Sequence, residues 1–262
     1  MCTVVLLRRP GLPWPLLLAA NRDEMLARPS RPPGRHWADR SNVVAGMDEQ
    51  AGGTWLGIND EGVVAAVMNR VGSLGPAPDA RSRGELVLEA LDHADAAMAA
   101  EALAALNARA YRAFNLVVAD DRDAFWIKGL GRNGPPSVEV TPIPVGLSMA
   151  TARDLNDTTC PRIRTFKPRF EAAPVPDPET GDWSAWAALL AARGGAGEIE
   201  ATMTIEADER GFGTVSASVI GLPQAGRSDA APLWRFAEGR PDRVAFAPVT
   251  ALRAPVAARA RH

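Results

Sequence analysis

Short apolar segments rich in β-branched residues recur along the chain, and this pattern favours strands. The segments predict strands at 2–8, 15–21, 54–59, 62–69, 113–120, 123–128, 137–141, 144–149, 212–221 and 242–247. Turn residues separate several neighbouring segments, as in Asp60-Glu61-Gly62 and Asp120-Asp121-Arg122. Such short connections are typical of antiparallel hairpins rather than of crossovers between parallel strands.

Helical patterns cover only a few segments of the chain. Ser82 begins a capping-box sequence, so a helix is expected to follow it, and an alanine-rich run at 95–108 predicts a second helix. Asp182 is expected to cap a third helix. Residues 161–171 are expected to form one or two helical turns, because Pro168 interrupts them. Hairpins with few helices indicate an α+β fold that contains antiparallel sheets.

Composition and charge exclude several classes of protein. The chain has 29 basic and 31 acidic residues and a net charge of −2, so no basic surplus favours nucleic acid or an anionic membrane. No segment approaches the roughly 18–20 apolar residues of a membrane span, and Arg8-Arg9-Pro10 divides the apolar N-terminus, unlike a secretory signal. The two cysteines are too few for a disulfide framework, which favours a reducing, cytoplasmic location. The three histidines show no metal-ligand spacing, so no metal site is expected.

The first 24 residues contain the strongest group of candidate functional residues. If the first two strands pair around a turn at Gly11-Leu12-Pro13, the numbers of paired residues sum to about 24, and Cys2 lies opposite Arg22. Strand alternation then places the even-numbered residues of the Asn21–Glu24 segment on one face and the odd-numbered residues on the other. The sequence therefore predicts a thiol beside a guanidinium and carboxylates.

This group suits nucleophilic chemistry. An adjacent arginine lowers the pKa of a thiol such as Cys2. Removal of Met1 would expose an α-amine whose pKa of about 7.7–8.0 suits a base, and Arg22 with Asp23 or Glu24 would orient that amine. The alternative interpretation is structural: Cys2 is then a small buried apolar residue, and Arg22 and Asp23 form an ion pair.

Three weaker candidates lie further along the chain. The segment Gly52–Gly57, which includes Thr54 and Trp55, opens a strand and is a hairpin start more readily than a ligand loop. Asn69 ends a strand and would offer an amide to an oxyanion, although a turn residue is the simpler interpretation. The basic stretch at 162–169 would meet an anionic ligand or form a solvated helix face.

The segment Ala19–Glu24, followed by Arg28-Pro29-Ser30, closely resembles the signature of the NRDE family. The similarity continues through Met1-Cys2, Gly52–Gly57, Asn69, Arg83–Leu86, Phe114–Leu116, Ala119-Asp120, Gly146–Ser148 and Gly213-Thr214. It covers about residues 1–249, which predicts a single domain over that range and a disordered tail over 250–262.

The resemblance implies an αββα sandwich, with two antiparallel sheets between helical layers, of the N-terminal-nucleophile type. Cysteine members of that wider fold carry a cysteine at position 2, an arginine on the second strand and asparagines at the oxyanion site. The resemblance thus implies a catalytic set of Cys2, Arg22, Asp23 and Asn69. It implies ligand contacts from Asn21, Arg22, Glu24, Thr54, Trp55, Ser148 and Met149.

Two positions depart from the family pattern. Relatives usually have asparagine where this chain has Met149, and arginine where it has Val215. Both positions are expected to face the pocket, which would make it more apolar. Loss of one oxyanion donor costs on the order of 3 kcal/mol in comparable sites, so this departure favours binding over hydrolysis.

The NRDE family has been associated with heme trafficking and with the handling of lipids or acyl-coenzyme A. The resemblance therefore implies binding and transfer of heme or an acyl-type anionic amphiphile around Cys2 and Asn21–Glu24, with Arg22 and Arg162 or Arg164 at the rim. No cofactor is required, and heme is a candidate cargo; the absence of a CxxCH sequence excludes its covalent attachment. The expected partner is a small-molecule amphiphile, with neither nucleic-acid binding nor stable membrane insertion.

Two other functions stay open at this point. The chain would be an amidohydrolase or thioesterase if Cys2 acts as the nucleophile. It would be a scaffold protein if it has inherited the fold without a working site. Retention of Cys2, Arg22, Asp23 and Asn69 favours a working site.

Overall fold

The apolar segments of the sequence form the strands of two antiparallel sheets in the computed structural model, which describes residues 2–75, 79–194, 201–227 and 229–252. The strands are β1 (Thr3–Arg8), β2 (Leu16–Met25), β3 (Ser30–Gly34), β4 (Val43–Asp48), β5 (Leu56–Asn59), β6 (Val64–Asn69), β7 (Phe114–Ala119), β8 (Ala124–Gly129), β9 (Glu139–Pro142), β10 (Gly146–Ala150), β11 (Phe212–Leu222), β12 (Leu233–Ala237) and β13 (Ala247–Pro248). The α-helices are α1 (Gly84–Leu91), α2 (Ala96–Ala104), α3 (Pro161–Ala172) and α4 (Ser184–Leu190).

The sheets and helices stack in four layers. The first sheet has the strand order β10-β1-β2-β11-β12-β13, and the second has the order β3-β4-β5-β6-β7-β8-β9. Apolar side chains of both sheets, such as Leu18 and Ile58, fill the space between them. The outer face of the second sheet packs against α1 and α2, and that of the first sheet against α3 and α4, where Phe166 and Trp186 are fully buried. The predicted α+β sandwich is confirmed.

The pairing of β1 with β2 determines which side chains face the space between the sheets. Thr3 lies opposite Asn21, so the predicted sum of 24 is confirmed. Even-numbered residues of β2, such as Leu18, belong to the core between the sheets, whereas odd-numbered ones, such as Leu17, pack against the helices. Because β2 is buried on both faces, it has an almost continuous apolar run.

The sequence pattern missed three strands and misplaced one. β3 contains two prolines and is exposed at the edge of its sheet, where missing N–H donors are tolerated. β4 and β12, with six and five residues, were also missed. The strand predicted at 242–247 is wrong except for its last residue, because the chain turns there: the N–H groups of Arg243 and Val244 donate to the carbonyl of Arg240.

The helices follow the predictions with one correction. Asp95 caps α2, and Asp182 accepts a hydrogen bond from the N–H of Ser184 at the start of α4. The interruption predicted at Pro168 is wrong, because α3 continues through it to Ala172. Pro168 lies on the exposed face of α3, where the carbonyl that loses its N–H partner can bond to water.

The end of the described chain packs against the core. Val249, Ala251 and Leu252 are partly buried against the cluster between the sheets. The rest of the predicted tail, 253–262, lies outside the described residues. None of the helices in the described ranges is both long and apolar enough to cross a membrane.

Candidate functional site

Cys2 and Arg22 meet in a cleft at the end of the β1–β2 hairpin, on the side that faces the second sheet. Both line a cleft of about 300 Å³, together with Glu24, Trp55 and Asn69. The thiol of Cys2 is partly exposed and donates a long hydrogen bond, 3.5 Å, to the carbonyl oxygen of Asp23. The hairpin register therefore brings the predicted thiol and guanidinium together.

Arg22 is an almost fully buried cation in this cleft. Its side chain is only 6% exposed, and its guanidinium carbon lies 3.9 Å from the centre of the Trp55 ring. One guanidinium nitrogen donates to the hydroxyl of Ser30 at 3.0 Å. Among the described residues, no carboxylate lies within ion-pair distance of Arg22, and burial lowers its pKa. The cation is thus stabilised by an aromatic face and a hydroxyl, which are neutral partners.

Asp23 lies on the opposite face of β2, towards the helices. Its carboxylate accepts hydrogen bonds from Thr214 at 2.6 Å and from Arg162 of α3 at 3.1 Å. The side chains of Asp23 and Arg162 are both fully buried, and Arg162 also donates to Thr3. The structural interpretation, an ion pair between Arg22 and Asp23, is wrong, because strand alternation places the two side chains on opposite faces of β2. Arg162 was expected either at the rim beside Arg22 or on a solvated helix face, and the structure shows neither.

Asn21 is a structural tether in the same outer layer. Its amide nitrogen donates to the carbonyl oxygens of Leu190, at the end of α4, and of Met203, at 3.0 and 2.9 Å. The side chain is 1% exposed and points away from the cleft. The ligand contact that was expected from Asn21 is therefore not possible in this structure, because its amide bonds to the backbone on the other side of the sheet.

Met149 and Val215 do not face the cleft, contrary to the expectation from the family pattern. Met149 pairs with Val5 and is fully buried between the first sheet and the helices. A β-bulge between Thr214 and Ser216 displaces Val215 from the pairing with β2, and Val215 lines a separate surface groove. Neither apolar side chain changes the polarity around Cys2, so the expected loss of an oxyanion donor does not follow from these two positions.

Ser148 also lies apart from the cleft. It faces the space between the sheets, is 1% exposed, and accepts a hydrogen bond from the amide of Asn156 at 3.2 Å. The side-chain oxygen of Asn156 in turn accepts from the backbone N–H of Met149 at 2.8 Å. These contacts fix the turn after β10.

The remaining predicted residues do line the cleft. Thr54 uses its hydroxyl locally, donating to the carbonyl of Leu56 at 3.1 Å. Glu24 lies 3.9 Å from Arg28, and Asn69, the last residue of β6, lines both this cleft and an adjacent apolar one. Of the candidates, Cys2, Arg22, Glu24, Thr54, Trp55 and Asn69 thus share one cleft.

An arginine-rich wall of the cleft was not predicted as part of the site. It contains Arg28, Arg81, Arg83 and Arg112. Arg28 pairs with Asp48 at 2.6 Å, and Arg81 pairs with Glu85 at 2.7 Å. The family-like blocks Arg28–Ser30 and Arg83–Leu86 were the sequence signals for this wall.

Arg83 enters the cleft because α1 begins in close contact with the segment before β5. A Cβ atom on Gly84 would lie 2.9 Å from the backbone nitrogen of Thr54, so only glycine fits there. Arg83 donates from Nη1 to the hydroxyl and carbonyl of Ser73 and to the carbonyl of Ala113, at 2.9, 3.3 and 3.1 Å. Burial, together with the neighbouring Arg112, lowers the pKa of Arg83 to about 10, which leaves it charged at neutral pH.

The thiol of Cys2 is neutral at neutral pH in this arrangement. Burial raises its pKa, and the carboxylates of Asp23 and Glu24 act in the same direction. The net shift is opposite to the lowering expected beside Arg22, because desolvation of the thiolate has the larger effect. Met1 lies outside the described residues, so the effect of a free α-amine on Cys2 stays a prediction. In the described ranges, no group of three or more acidic, histidine or cysteine side chains has the geometry of a metal site.

The sequence is similar to one family over most of its length. Residues 1–182 match the family described as Transport and Golgi organisation 2, which is the NRDE family. A Transport and Golgi organization 2 homolog of Mus musculus is 36% identical over 142 residues, 52% of this chain and 50% of that protein. The Homo sapiens homolog is 36% identical over 144 residues, with the same coverage of both chains. The chain thus spans about half the length of the curated relatives it matches.

Two solved structures share the fold. The Caenorhabditis elegans N-acylethanolamine-hydrolyzing acid amidase (NAAA) ortholog is 14% identical with a TM-score of 0.54, and the match covers 87% of this chain and 95% of that one. An arginine-to-leucine variant of the conjugated bile acid hydrolase from Clostridium perfringens is 10% identical with a TM-score of 0.50, and the match covers 95% and 96%. At such identities the likeness shows the fold alone, which is that of the N-terminal-nucleophile hydrolases.

Proposed function

The chain belongs to the Transport and Golgi organisation 2 family, and we propose that it binds and transfers an anionic amphiphile, heme or an acyl thioester, in the cleft around Cys2 and Arg22. Arg22 meets the anionic group of this ligand. The apolar part lies against Trp55 and Val67.

The observation that carries the proposal is the state of Arg22. A buried charge is costly unless a partner compensates it, and the described residues supply no carboxylate within ion-pair distance of this guanidinium. Its face rests on Trp55, and Ser30 bonds to one of its nitrogens. Such a preorganised cation contributes most when an anion enters the cleft and displaces water.

The apolar surroundings of Arg22 support an amphiphile rather than a simple anion. Trp55 and Val67 line the cleft, and Val4, Ala66 and Met68 surround a small space of about 20 Å³ behind it. Ligand pockets are commonly about 300–1,000 Å³, so the cleft matches a headgroup and the adjoining part of a chain or ring.

Titration of the purified protein with hemin and, separately, with a long-chain acyl-coenzyme A tests this proposal. Arg22→Gln should weaken binding by about 10- to 150-fold, because a charge-assisted contact contributes roughly 1.5–3 kcal/mol. Arg31→Gln is the matched control, since Arg31 pairs with Glu49 outside the cleft and its loss should change affinity by less than about twofold. Equal affinities of the wild type and Arg22→Gln for both probes would contradict the proposal.

A second candidate function is hydrolysis of an acyl amide or thioester, with Cys2 as the nucleophile. The favouring observation is that Cys2, Arg22 and Asn69 line the same cleft, while Met149 and Val215, which had counted against hydrolysis, lie elsewhere. The raised pKa of Cys2 means that a base, such as an α-amine freed by loss of Met1, would have to activate the thiol.

Turnover and intact-mass measurements separate the two functions. A hydrolase should lose turnover in Cys2→Ala while its affinity for the acyl ligand stays within a few-fold. An α-amine mechanism also requires that active protein has lost Met1. Binding without turnover, in protein whose mass shows Cys2 at the N-terminus, would leave the transfer function alone.

A further inference from the structure

The guanidinium of Arg83 uses only one of its three nitrogens for hydrogen bonds to the described residues. All three of its hydrogen bonds start from Nη1 and end on the neutral oxygens of Ser73 and Ala113. Within the described part of the chain, Nε and Nη2 have no hydrogen-bond partner, and no carboxylate lies within ion-pair distance. These two nitrogens form one edge of a planar guanidinium, which is the edge that binds an oxyanion through two parallel bonds.

The neighbouring arginines of the same wall differ from Arg83. Arg81 is neutralised by Glu85 at 2.7 Å, and Arg28 by Asp48 at 2.6 Å. Arg112 donates to the carbonyls of Leu74 and Gly75 and lowers the pKa of Arg83 by repulsion. Protein groups therefore compensate some cations of the wall but leave Arg83 beside a second positive charge.

The charge of the whole cleft indicates what compensates Arg83. Among the described residues, five arginines and two carboxylates line the cleft, and Glu85 pairs with Arg81 from outside the lining set, so the described lining keeps a surplus of positive charge. A carboxylate carries one negative charge, whereas a phosphate monoester carries about 1.5 to 2 at neutral pH and offers three acceptor oxygens. The phosphate monoester is the better match to this surplus.

We propose that Arg83 forms a phosphate subsite, in which Nε and Nη2 bind a phosphate monoester on the headgroup of the ligand. The subsite deepens the proposed function, and rests on it, by assigning a phosphorylated headgroup to the amphiphile in this cleft, which selects the acyl thioester over heme. Arg22 then faces the part of the ligand beside Cys2, and Arg83 faces its phosphate.

Calorimetric titration with octyl phosphate, octanoate and inorganic phosphate tests the subsite. Wild-type protein should bind octyl phosphate at least about tenfold more tightly than octanoate, because the phosphate monoester carries more negative charge and a third acceptor oxygen. Arg83→Gln should reduce the ratio of the affinity for octyl phosphate to the affinity for octanoate to about one. Arg81→Gln removes the same charge from the same wall, but that charge is already neutralised by Glu85, so the ratio should stay within about threefold of the wild type.

Two further variants separate binding from folding. Ser73→Ala removes an acceptor of Nη1 and leaves Nε and Nη2 unchanged, so the octyl phosphate preference should persist. Arg83→Lys keeps the charge but loses the two parallel bonds, so an intermediate ratio is expected. A loss of folding would weaken the binding of octyl phosphate and of octanoate together, so the ratio of their affinities would not change.

Each outcome of the titration decides one of the two proposals. A wild-type ratio near one, or a ratio that Arg83→Gln leaves unchanged, would overturn the phosphate subsite while the amphiphile function stands. Arg83-dependent binding of inorganic phosphate, with no gain from the octyl chain, would support the subsite and overturn the amphiphile function. Failure of all three probes to bind would overturn the subsite, and the titration with hemin and acyl-coenzyme A would then decide the amphiphile function by itself.

Discussion

Arg22 and Asp23 are adjacent in the sequence, yet the two faces of β2 place them in opposite electrostatic environments. Asp23, on the outer face, is sealed between Thr214 and Arg162, and both members of the ion pair are fully buried. Arg22, on the inner face, rests on Trp55 without a carboxylate at ion-pair distance among the described residues. The outer charge is compensated by the protein, whereas the inner charge is available to a ligand.

This difference separates a structural role from a functional one within a single motif. The protein fixes α3 against the first sheet through the contact between Asp23 and Arg162. It keeps Arg22 desolvated but accessible, which costs stability in the empty cleft and favours an incoming anion. The two side chains should therefore respond differently to substitution.

The largest expected effect is on stability, after removal of the outer carboxylate. Asp23→Ala should lower the free energy of unfolding by about 3–5 kcal/mol, because it removes the carboxylate that pairs with the fully buried guanidinium of Arg162. Arg22→Gln should change it by no more than about 1 kcal/mol, since it removes a buried cation along with its contact to Trp55. Urea unfolding measures the free energy of unfolding of both variants. An equal decrease in the two would contradict the difference between the two faces of β2.

Met149 provides a second test of the outer face. Met149→Asn should lower the free energy of unfolding by about 2–4 kcal/mol, because it replaces an apolar side chain packed against the helices with an amide that has to find partners there. Affinity for the acyl ligand should stay within about twofold in variant protein that remains folded. An increase in hydrolysis in this variant would instead place residue 149 in functional contact with the cleft.

The smallest expected effect concerns the pH dependence of the inner thiol. Because burial raises the pKa of Cys2, the reactive thiolate should be scarce at neutral pH and increase about tenfold per pH unit, without a plateau between pH 7 and 9. Alkylation by iodoacetamide, followed by mass spectrometry, measures this rate. Cys160 is fully buried and serves as the internal control that should not react in folded protein. A plateau below pH 7 would indicate an activated thiolate and favour the hydrolase.

The hairpin that carries the site was predictable because its determinants are local. The turn near Gly11 and the alternation along β1 and β2 are enough to pair Thr3 with Asn21. The same reasoning failed for β3, whose prolines are tolerated at an exposed edge, and for α3, whose Pro168 is tolerated on an exposed face. In both cases the surroundings of the element, rather than its own residues, decide the outcome.

The site was predictable only in part. The cleft is lined as expected by Cys2, Arg22, Glu24, Thr54, Trp55 and Asn69. The first three lie on or next to the strands of the first hairpin, which the motif defines. Met149 was assigned to the wrong face because the orientation of β10 depends on its register with β1, which distant parts of the chain determine.

By itself, the sequence determined the α+β class, the register of the first hairpin and the meeting of Cys2 with Arg22, because alternation and short turns act between residues close in the chain. Only the tertiary structure decided which charges are compensated. The partner of Asp23 lies 139 residues away on α3. Arg83 reaches the cleft because Gly53 and Gly84 let α1 approach the segment before β5, which carries Trp55. Electrostatic compensation depends on distance in space, which local sequence patterns do not encode.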